Sequence, residues 1–101
     1  MQELRRGVLV LATLRQLGDA KYGYLLIDEL AEQGLTIDQG TLYPLLWRLE
    51  ADGLLHSESN TEGSRPRRYY MISPSGAELL RALSDEWRGL AAVLNQLLAN
   101  Q

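Results

Sequence analysis

The sequence predicts a mainly α-helical fold with one small antiparallel β-hairpin and a long C-terminal helix. Apolar residues recur at helical spacing in four stretches. Glycine or proline lies at most of the boundaries between these stretches, as is typical of turns and helix ends. Two short segments with the length of strands flank a polar loop that contains glycine and proline, which favours a hairpin.

Length and composition restrict the class of protein. A chain of 101 residues corresponds to one domain with a modest core, and 46% hydrophobic residues indicate a globular protein. The absence of cysteine excludes disulfides, thiolate metal sites and cysteine nucleophiles, and fits a reducing compartment. The longest apolar run, residues 8–12, is too short to cross a membrane, and no signal peptide opens the chain. We therefore predict a cytoplasmic protein without a membrane partner.

Two helices are predicted in the first third of the chain. The first covers residues 3–17 and has apolar stripes on two sides, so we expect it to pack between its own domain and a partner subunit. The second covers residues 22–33 and ends at Gly34, which suits a helix C-terminus. Residues 35–37 are predicted to be an extended link, with a minimal strand as an alternative.

A third helix is predicted from Asp38, a favourable N-cap, through residue 52, with Gly53 as its stop. Pro44 cannot donate a backbone hydrogen bond and its ring crowds the carbonyl of residue 40. Either Gly40 lets the backbone adjust, or the regular helix begins at Thr41 and places Pro44 in its first turn. The sequence leaves both alternatives open.

The hairpin is predicted from strands at residues 55–59 and 67–72, joined by the polar loop 60–66. Ser73 is a suitable N-cap for the last helix, with Pro74 at its first position, and this helix extends nearly to the C-terminus. A heptad stripe on this helix predicts a dimer seam. The stripe consists of Leu80, Leu83, Trp87, Leu90, Leu94 and Leu97.

A helix followed by a strand, a basic loop and a second strand is the arrangement of a winged helix-turn-helix, which binds double-stranded DNA. We therefore assign residues 1–73 to this DNA-binding region and residues 74–101 to a dimerisation helix, within one compact domain. The net charge of −3 does not oppose this, because binding depends on local potential over about 8–10 Å. Three arginines cluster at the wing, while acids gather elsewhere, so we expect weak nonspecific affinity.

From about residue 4 to residue 76, the chain resembles PadR-family transcriptional regulators. The motifs that carry the resemblance are Tyr22-Gly23-Tyr24, Gly40-Thr41-Leu42-Tyr43-Pro44, Arg48-Leu49-Glu50, Gly53-Leu54, and Arg68-Tyr69-Tyr70 leading to Ser73 and Gly76. The resemblance implies a winged-helix homodimer that represses a promoter and in many members is released by a small molecule. The single short last helix is similar to that of the smaller subgroup, which includes multidrug-responsive regulators. Trp47 and Ser73 depart from the usual residues, which are polar or basic at the first position and threonine at the second.

The start of the third helix is predicted to enter the major groove of DNA. Gln39 would contact an adenine edge, Thr41 a phosphate or a thymine methyl, and Tyr43 a phosphate through its hydroxyl. The alternative for Tyr43 is packing against the second helix. Arg48, near the end of the third helix, would bind a phosphate or pair with Asp52.

Arginines also flank the wing tip. Guanidinium groups suit phosphate pairing and insertion into the minor groove, so Arg65, Arg67 and Arg68 are predicted to contact DNA. The alternatives are solvated surface charge or, for Arg68, pairing with Glu58 across the hairpin. The two arginines at positions 5 and 6 are predicted to be surface charges only.

Trp87 occupies a place similar to that of an aromatic residue that lines a central pore in multidrug-binding relatives and stacks on flat ligands. The resemblance thus implies an effector site for a planar aromatic small molecule, with Val8, Leu11 and Ala12 as neighbours of Trp87. Ordinary core packing of Trp87 is the alternative.

Catalysis is not expected. A single histidine without cysteine cannot build the usual metal sites, no glycine-rich phosphate loop follows a strand, and no serine has a nucleophile signature. No cofactor or metal is predicted. The sequence favours a homodimeric repressor relieved by a small molecule. The alternatives are a constitutive DNA-binding dimer without ligand and a winged-helix protein-interaction module.

Overall fold

The structure is a computed structural model that describes residues 2–60 and 67–99. Helices account for most of this part of the chain, and the strands form one small sheet. The elements are α1 (Gln2–Gln16), β1 (Lys21–Tyr22), α2 (Gly23–Glu32), α3 (Gln39–Ala51), β2 (Leu55–Asn60), β3 (Arg67–Ile72) and α4 (Pro74–Ala99). The predicted fold class is confirmed.

The core lies where α1, α2 and α3 meet the sheet. Leucines at helical spacing supply most of it, because each amphipathic helix directs one face inward. Each fully buried leucine contributes about 1.5–3 kcal/mol relative to an exposed one, so these positions dominate the stability of the bundle. The buried hydrophobic residues are Leu9, Leu14, Leu17, Leu26, Leu30, Ile37, Leu42, Leu46, Leu49, Leu55 and Tyr70.

The turn between α2 and α3 sets the position of α3. Gly34 adopts a positive φ of 95°, which ends α2. The Asp38 side chain then accepts a hydrogen bond of 2.8 Å from the backbone N–H of Thr41, which confirms the predicted N-cap. Helix α3 begins at Gln39 and passes through Pro44, so the alternative start at Thr41 is wrong.

The sheet has three strands in the order β1-β3-β2, all antiparallel neighbours. The predicted hairpin is confirmed. Strands β2 and β3 pair from Leu55 opposite Ile72 to Asn60 opposite Arg67. Strand β1 was not predicted, because residue 22 fits the start of the predicted second helix. Two residues have too little pattern to indicate a strand, and only their pairing with β3 defines β1. Residues 35–37, the alternative strand, are not in a strand.

Helix α4 is joined tightly to the end of α3. The Ser73 hydroxyl donates to the carbonyl oxygen of Gly53 at 2.6 Å and accepts from the backbone N–H of Gly76 at 3.0 Å, which confirms the predicted N-cap. A Cβ atom at Gly76 would lie 2.1 Å from the carbonyl oxygen of Leu54, so only glycine fits there. The far half of α4 projects from the bundle, and the chain extends over 58 Å. Within residues 2–60 and 67–99, no helix is both long and apolar enough to cross a membrane.

Candidate nucleic-acid interface

The first turn of α3 presents polar side chains to solvent. Gln39 and Thr41 are both exposed, while Leu42 on the inner side of the same turn is fully buried. The helix is therefore anchored by its apolar face, and Gln39 and Thr41, both predicted to contact DNA, lie on its exposed surface. The Asp38 cap fixes the backbone of this turn.

Tyr43 is half-buried and packs against the start of α2. A Cβ atom at Gly23 would lie only 2.5 Å from the Tyr43 hydroxyl oxygen, so the ring rests directly on the glycine backbone. The ring of Tyr43 is also 6.4 Å from that of Trp47, centre to centre. The Tyr43 ring thus packs against the second helix, and Gly23 makes this contact sterically feasible.

Strand β1 brings three tyrosines together at the base of the wing. This tyrosine cluster consists of Tyr22, Tyr24 and Tyr69. The rings of Tyr22 and Tyr24 are nearly parallel, with centres 5.9 Å apart, and Tyr69 meets Tyr22 edge-on at the same distance. The sequence did not predict this cluster. Its only signal in the sequence was the pattern Tyr22-Gly23-Tyr24. It forms an aromatic platform beside the first residue of β3.

Arg67, the first residue of β3, is held on this platform. Its guanidinium carbon lies 5.8 Å from the ring centre of Tyr22 and 5.6 Å from that of Tyr24. Its Nη1 also donates to the Tyr24 hydroxyl at 3.4 Å. Cation–π contacts of this type contribute about 0.5–1 kcal/mol at exposed sites. The Arg67 side chain is therefore exposed but oriented.

Hydrogen bonds across the hairpin assign partners to the remaining wing residues. The Tyr69 hydroxyl donates to Glu58 at 2.8 Å, and this bond to a carboxylate raises the pKa of Tyr69 above its usual value. Arg68 donates instead to the Ser57 hydroxyl at 2.7 Å. The alternative in which Arg68 pairs with Glu58 is wrong, because the ion pairs of the described residues do not include these two side chains. Arg65 lies outside the described residues.

Ser57 links the hairpin to α3. Its hydroxyl donates to Glu50 at 2.5 Å while it accepts from Arg68, so a polar chain runs from β3 to the end of the recognition helix. Next to it, the Tyr70 side chain is buried, and burial raises the pKa of its hydroxyl while a hydrogen bond with Trp47 partly opposes that shift. Trp47 itself is largely exposed.

Arg48 is exposed on α3 and does not pair with Asp52. Within the described residues, ion pairs form only between Lys21 and Glu29 and between Arg88 and Asp85. Arg48 instead lines a groove of about 580 Å³ between α1 and α3, together with two arginines of α1. No cluster of acidic residues or histidine that could hold a metal ion is found in residues 2–60 and 67–99.

A second concave region lies between α1 and α4. One pocket, with a volume of about 370 Å³, is lined by all four residues that were predicted to surround an effector. A smaller pocket of about 220 Å³ also includes Trp87, Val8 and Leu11. Trp87 is 45% exposed in the single chain, so the chain's own core does not enclose it. The predicted residues are Val8, Leu11, Ala12 and Trp87.

The heptad stripe of α4 divides into two parts. Leu80 and Leu83 are half-buried on the side of α4 that faces α1. Beyond Trp87 the stripe is open: Leu90, Leu94 and Leu97 are 55%, 52% and 61% exposed. A continuous exposed apolar surface of this kind is typical of an interaction site.

A three-helix bundle, a three-stranded sheet that includes the hairpin, and a third helix with one exposed face define a winged helix-turn-helix protein. The family model described as "Transcriptional regulator PadR-like family" matches residues 10–82. The chain therefore belongs to the PadR-like family of transcriptional regulators, which are DNA-binding proteins and not enzymes.

Individual relatives agree with this assignment. The chain is 38% identical over 102 residues to the transcriptional regulator Rv3488 of Mycobacterium tuberculosis, covering 100% of this chain and 92% of the relative. It is similar to the crystal structure of a PadR-family transcriptional regulator from Eggerthella lenta, with a TM-score of 0.92, 44% identity, and coverage of 99% and 89% of the two chains. A PadR-like transcription factor from Bacteroides fragilis gives a TM-score of 0.84 and 33% identity, with 95% of each chain covered.

Proposed function

We propose that this protein is a homodimeric transcriptional repressor that acts in the cytoplasm and is released from its promoter by a planar aromatic small molecule. The observation that carries this proposal is the open apolar face of α4, which continues into the pocket around Trp87. One surface thus offers both a site for a second copy and a site for a ligand.

The recognition helix α3 supplies the base contacts. In helix-turn-helix proteins the N-terminal residues of this helix meet base edges in the major groove. Exposed Gln39 is suited to an adenine edge, and exposed Thr41 to a phosphate or a thymine methyl. Tyr43 of α3 is held by its contact with Gly23 at the start of α2, and its hydroxyl would bind a phosphate. Arg48 adds a phosphate contact from the following turns.

The wing supplies charge beside the major groove. Arg67 rests on the tyrosine cluster and so loses less conformational entropy when it binds a phosphate or enters the minor groove. Arg68 is held by Ser57, and Arg65, which lies outside the described residues, would add a third guanidinium. Together these arginines would strengthen binding to any sequence, while α3 provides selectivity.

Helix α4 is the proposed dimer contact. The exposed leucines at positions 90, 94 and 97 would pack against the same helix of a second copy, together with Leu80, Leu83 and Trp87 nearer the bundle. A two-fold interface of this kind is the commonest form of assembly among soluble oligomers. It would present two α3 helices to half-sites about one helical turn apart on DNA.

The effector site is proposed around Trp87. A volume of about 370 Å³ falls in the range of small-molecule pockets, and its lining is mainly apolar. An indole ring that is half exposed is available to stack on a planar aromatic compound. A ligand that prefers a dimer with mis-spaced α3 helices would shift the population away from the DNA-binding form. These open pockets favour an effector over a constitutive dimer.

A fluorescence-anisotropy titration against the DNA immediately upstream of the protein's own gene tests the proposal. Unrelated DNA of equal length is the control, and both are measured at low and moderate salt. We expect tight, selective binding to the upstream DNA that weakens with salt. Equal, weak binding to both DNAs would contradict self-repression, and no binding at low salt would favour a protein-interaction module.

A further inference from the structure

We infer that the first turns of α1 form part of the DNA-binding surface, where Arg5 and Arg6 bind backbone phosphates beside Arg48. This inference rests on the proposed function. It assigns DNA contacts to two residues that composition and spacing identify only as surface charges.

The geometry places three guanidinium groups around one groove. Arg5 and Arg6 of α1 and Arg48 of α3 line a space of about 580 Å³ between these helices. Of the residues that the structure describes, none forms an ion pair with these three arginines. Such a cluster of positive charge attracts a polyanion, and guanidinium groups match phosphate oxygens well.

The groove opens beside the end of α3 that would enter the major groove. Gly40, Thr41 and Pro44 form the α3 wall of the groove. A helix inserted there has a sugar-phosphate backbone on each side, so a basic groove next to its first turns faces one of these strands. The DNA backbone is therefore the occupant that the position of the groove favours.

Two contacts near the groove bear on this assignment. The Arg5 guanidinium donates to the backbone carbonyl of Thr36, which holds it against the turn that precedes α3. The carboxylate of Asp38, which caps α3, accepts from the backbone N–H of Thr41. Arg5 therefore has a fixed direction and donors to spare, because a guanidinium carries five N–H groups.

The test compares DNA binding by the full-length protein and by Arg5→Ala/Arg6→Ala as salt is varied, using the DNA to which the wild-type protein binds. Two lost phosphate contacts should lower the slope of log K against log salt by about two units, which corresponds to roughly 60-fold weaker binding at 0.1 M salt. Arg81→Ala, which removes an exposed charge from α4 outside the proposed effector pocket, should leave the slope unchanged.

Because the alanine variant also loses the bond from Arg5 to Thr36 in the turn before α3, Arg5→Lys/Arg6→Lys serves as the rescue. Lysine keeps the charge, and we expect it to restore the wild-type slope. An unchanged slope in the alanine variant, with wild-type protein that binds well, would overturn the groove inference and leave the proposed function intact. Failure of the wild-type protein itself to bind DNA would overturn the proposed function.

Discussion

The guanidinium carbon of Arg67 lies 5.6 Å from the centre of the Tyr24 ring, although the two residues belong to different elements. The contact exists because β1 adds a third strand to the hairpin and places the start of α2 beside the base of the wing. The wing is therefore attached to the helical bundle through the tyrosine cluster. Arg67, which its residue type and position predict to contact DNA, therefore has a defined orientation.

Removal of the Arg67 charge should weaken DNA binding across all sequences. We expect Arg67→Ala to lower the salt slope by about one unit, and Arg65→Ala/Arg67→Ala to lower it by about one to two units. Anisotropy titrations over a salt series measure this, with Arg81→Ala as the control of equal charge. An unchanged slope in the double variant would show that these wing arginines do not bind phosphate.

Loss of the aromatic platform should have a different signature. Tyr24→Leu keeps the charge of Arg67 but removes one of its two cation–π contacts, so we expect about two- to fivefold weaker binding with an unchanged salt slope. Tyr24→Phe keeps the ring and should bind nearly as well as the wild type. Equal losses in the leucine and phenylalanine variants would mean that the hydroxyl matters and the ring does not.

Charges within the exposed stripe of α4 should separate the proposed dimer. Leu90→Glu/Leu94→Glu places four carboxylates at one interface, two from each copy, and we expect the mass from light scattering to fall to that of one chain. Ala92→Glu/Ala99→Glu adds the same charge to the opposite side of α4 and should remain dimeric. A dimeric mass for the leucine variant would exclude this seam as the interface.

Planar aromatic compounds should quench Trp87 fluorescence. Since the chain has two tryptophans, Trp47→Phe isolates the signal of Trp87. We expect quenching in this variant with at least one member of a panel of cationic and anionic planar dyes, and loss of quenching in Trp87→Phe. The absence of quenching across the panel would contradict an aromatic effector at this pocket.

Gly76 should be intolerant of any side chain. Its Cβ would meet the Leu54 carbonyl oxygen at 2.1 Å, whereas a Cβ at Gly89 has no neighbour within 4 Å in the described chain. Denaturant unfolding should show that Gly76→Ala lowers the free energy of unfolding by about 2–4 kcal/mol. Gly89→Ala should raise it by about 0.5–1 kcal/mol, because alanine favours a helix. Equal stability of the two variants would argue against the close packing of α4 on the α3–β2 turn.

The sequence predicted the helices and hairpin because their signals are local. Asp38 and Ser73 are strong N-caps, Gly34 and Gly53 suit helix ends, and leucine spacing marks the buried faces. Strand β1 could not be predicted, because its existence depends on pairing with residues nearly fifty positions away. Only the three-dimensional arrangement decides such pairing.

The same distinction applies to the candidate site. The residues named around Trp87 were expected as neighbours, and the structure places all four in one pocket. The partners of Arg67 and Arg68, by contrast, come from hydrogen bonds and ring contacts that spacing does not specify. The groove at Arg5 was also missed, because adjacent arginines at the start of a helix are usually solvated.

Selection from a random library of DNA duplexes tests the central claim most directly. The full-length protein is mixed with the library, bound duplexes are sequenced, and the enriched sequence is titrated by anisotropy against a scrambled duplex. The account predicts an inverted repeat with half-sites about one helical turn apart and salt-sensitive binding far tighter than to the scramble. No enrichment, with equal affinity for both duplexes, would contradict sequence-specific repression by this protein.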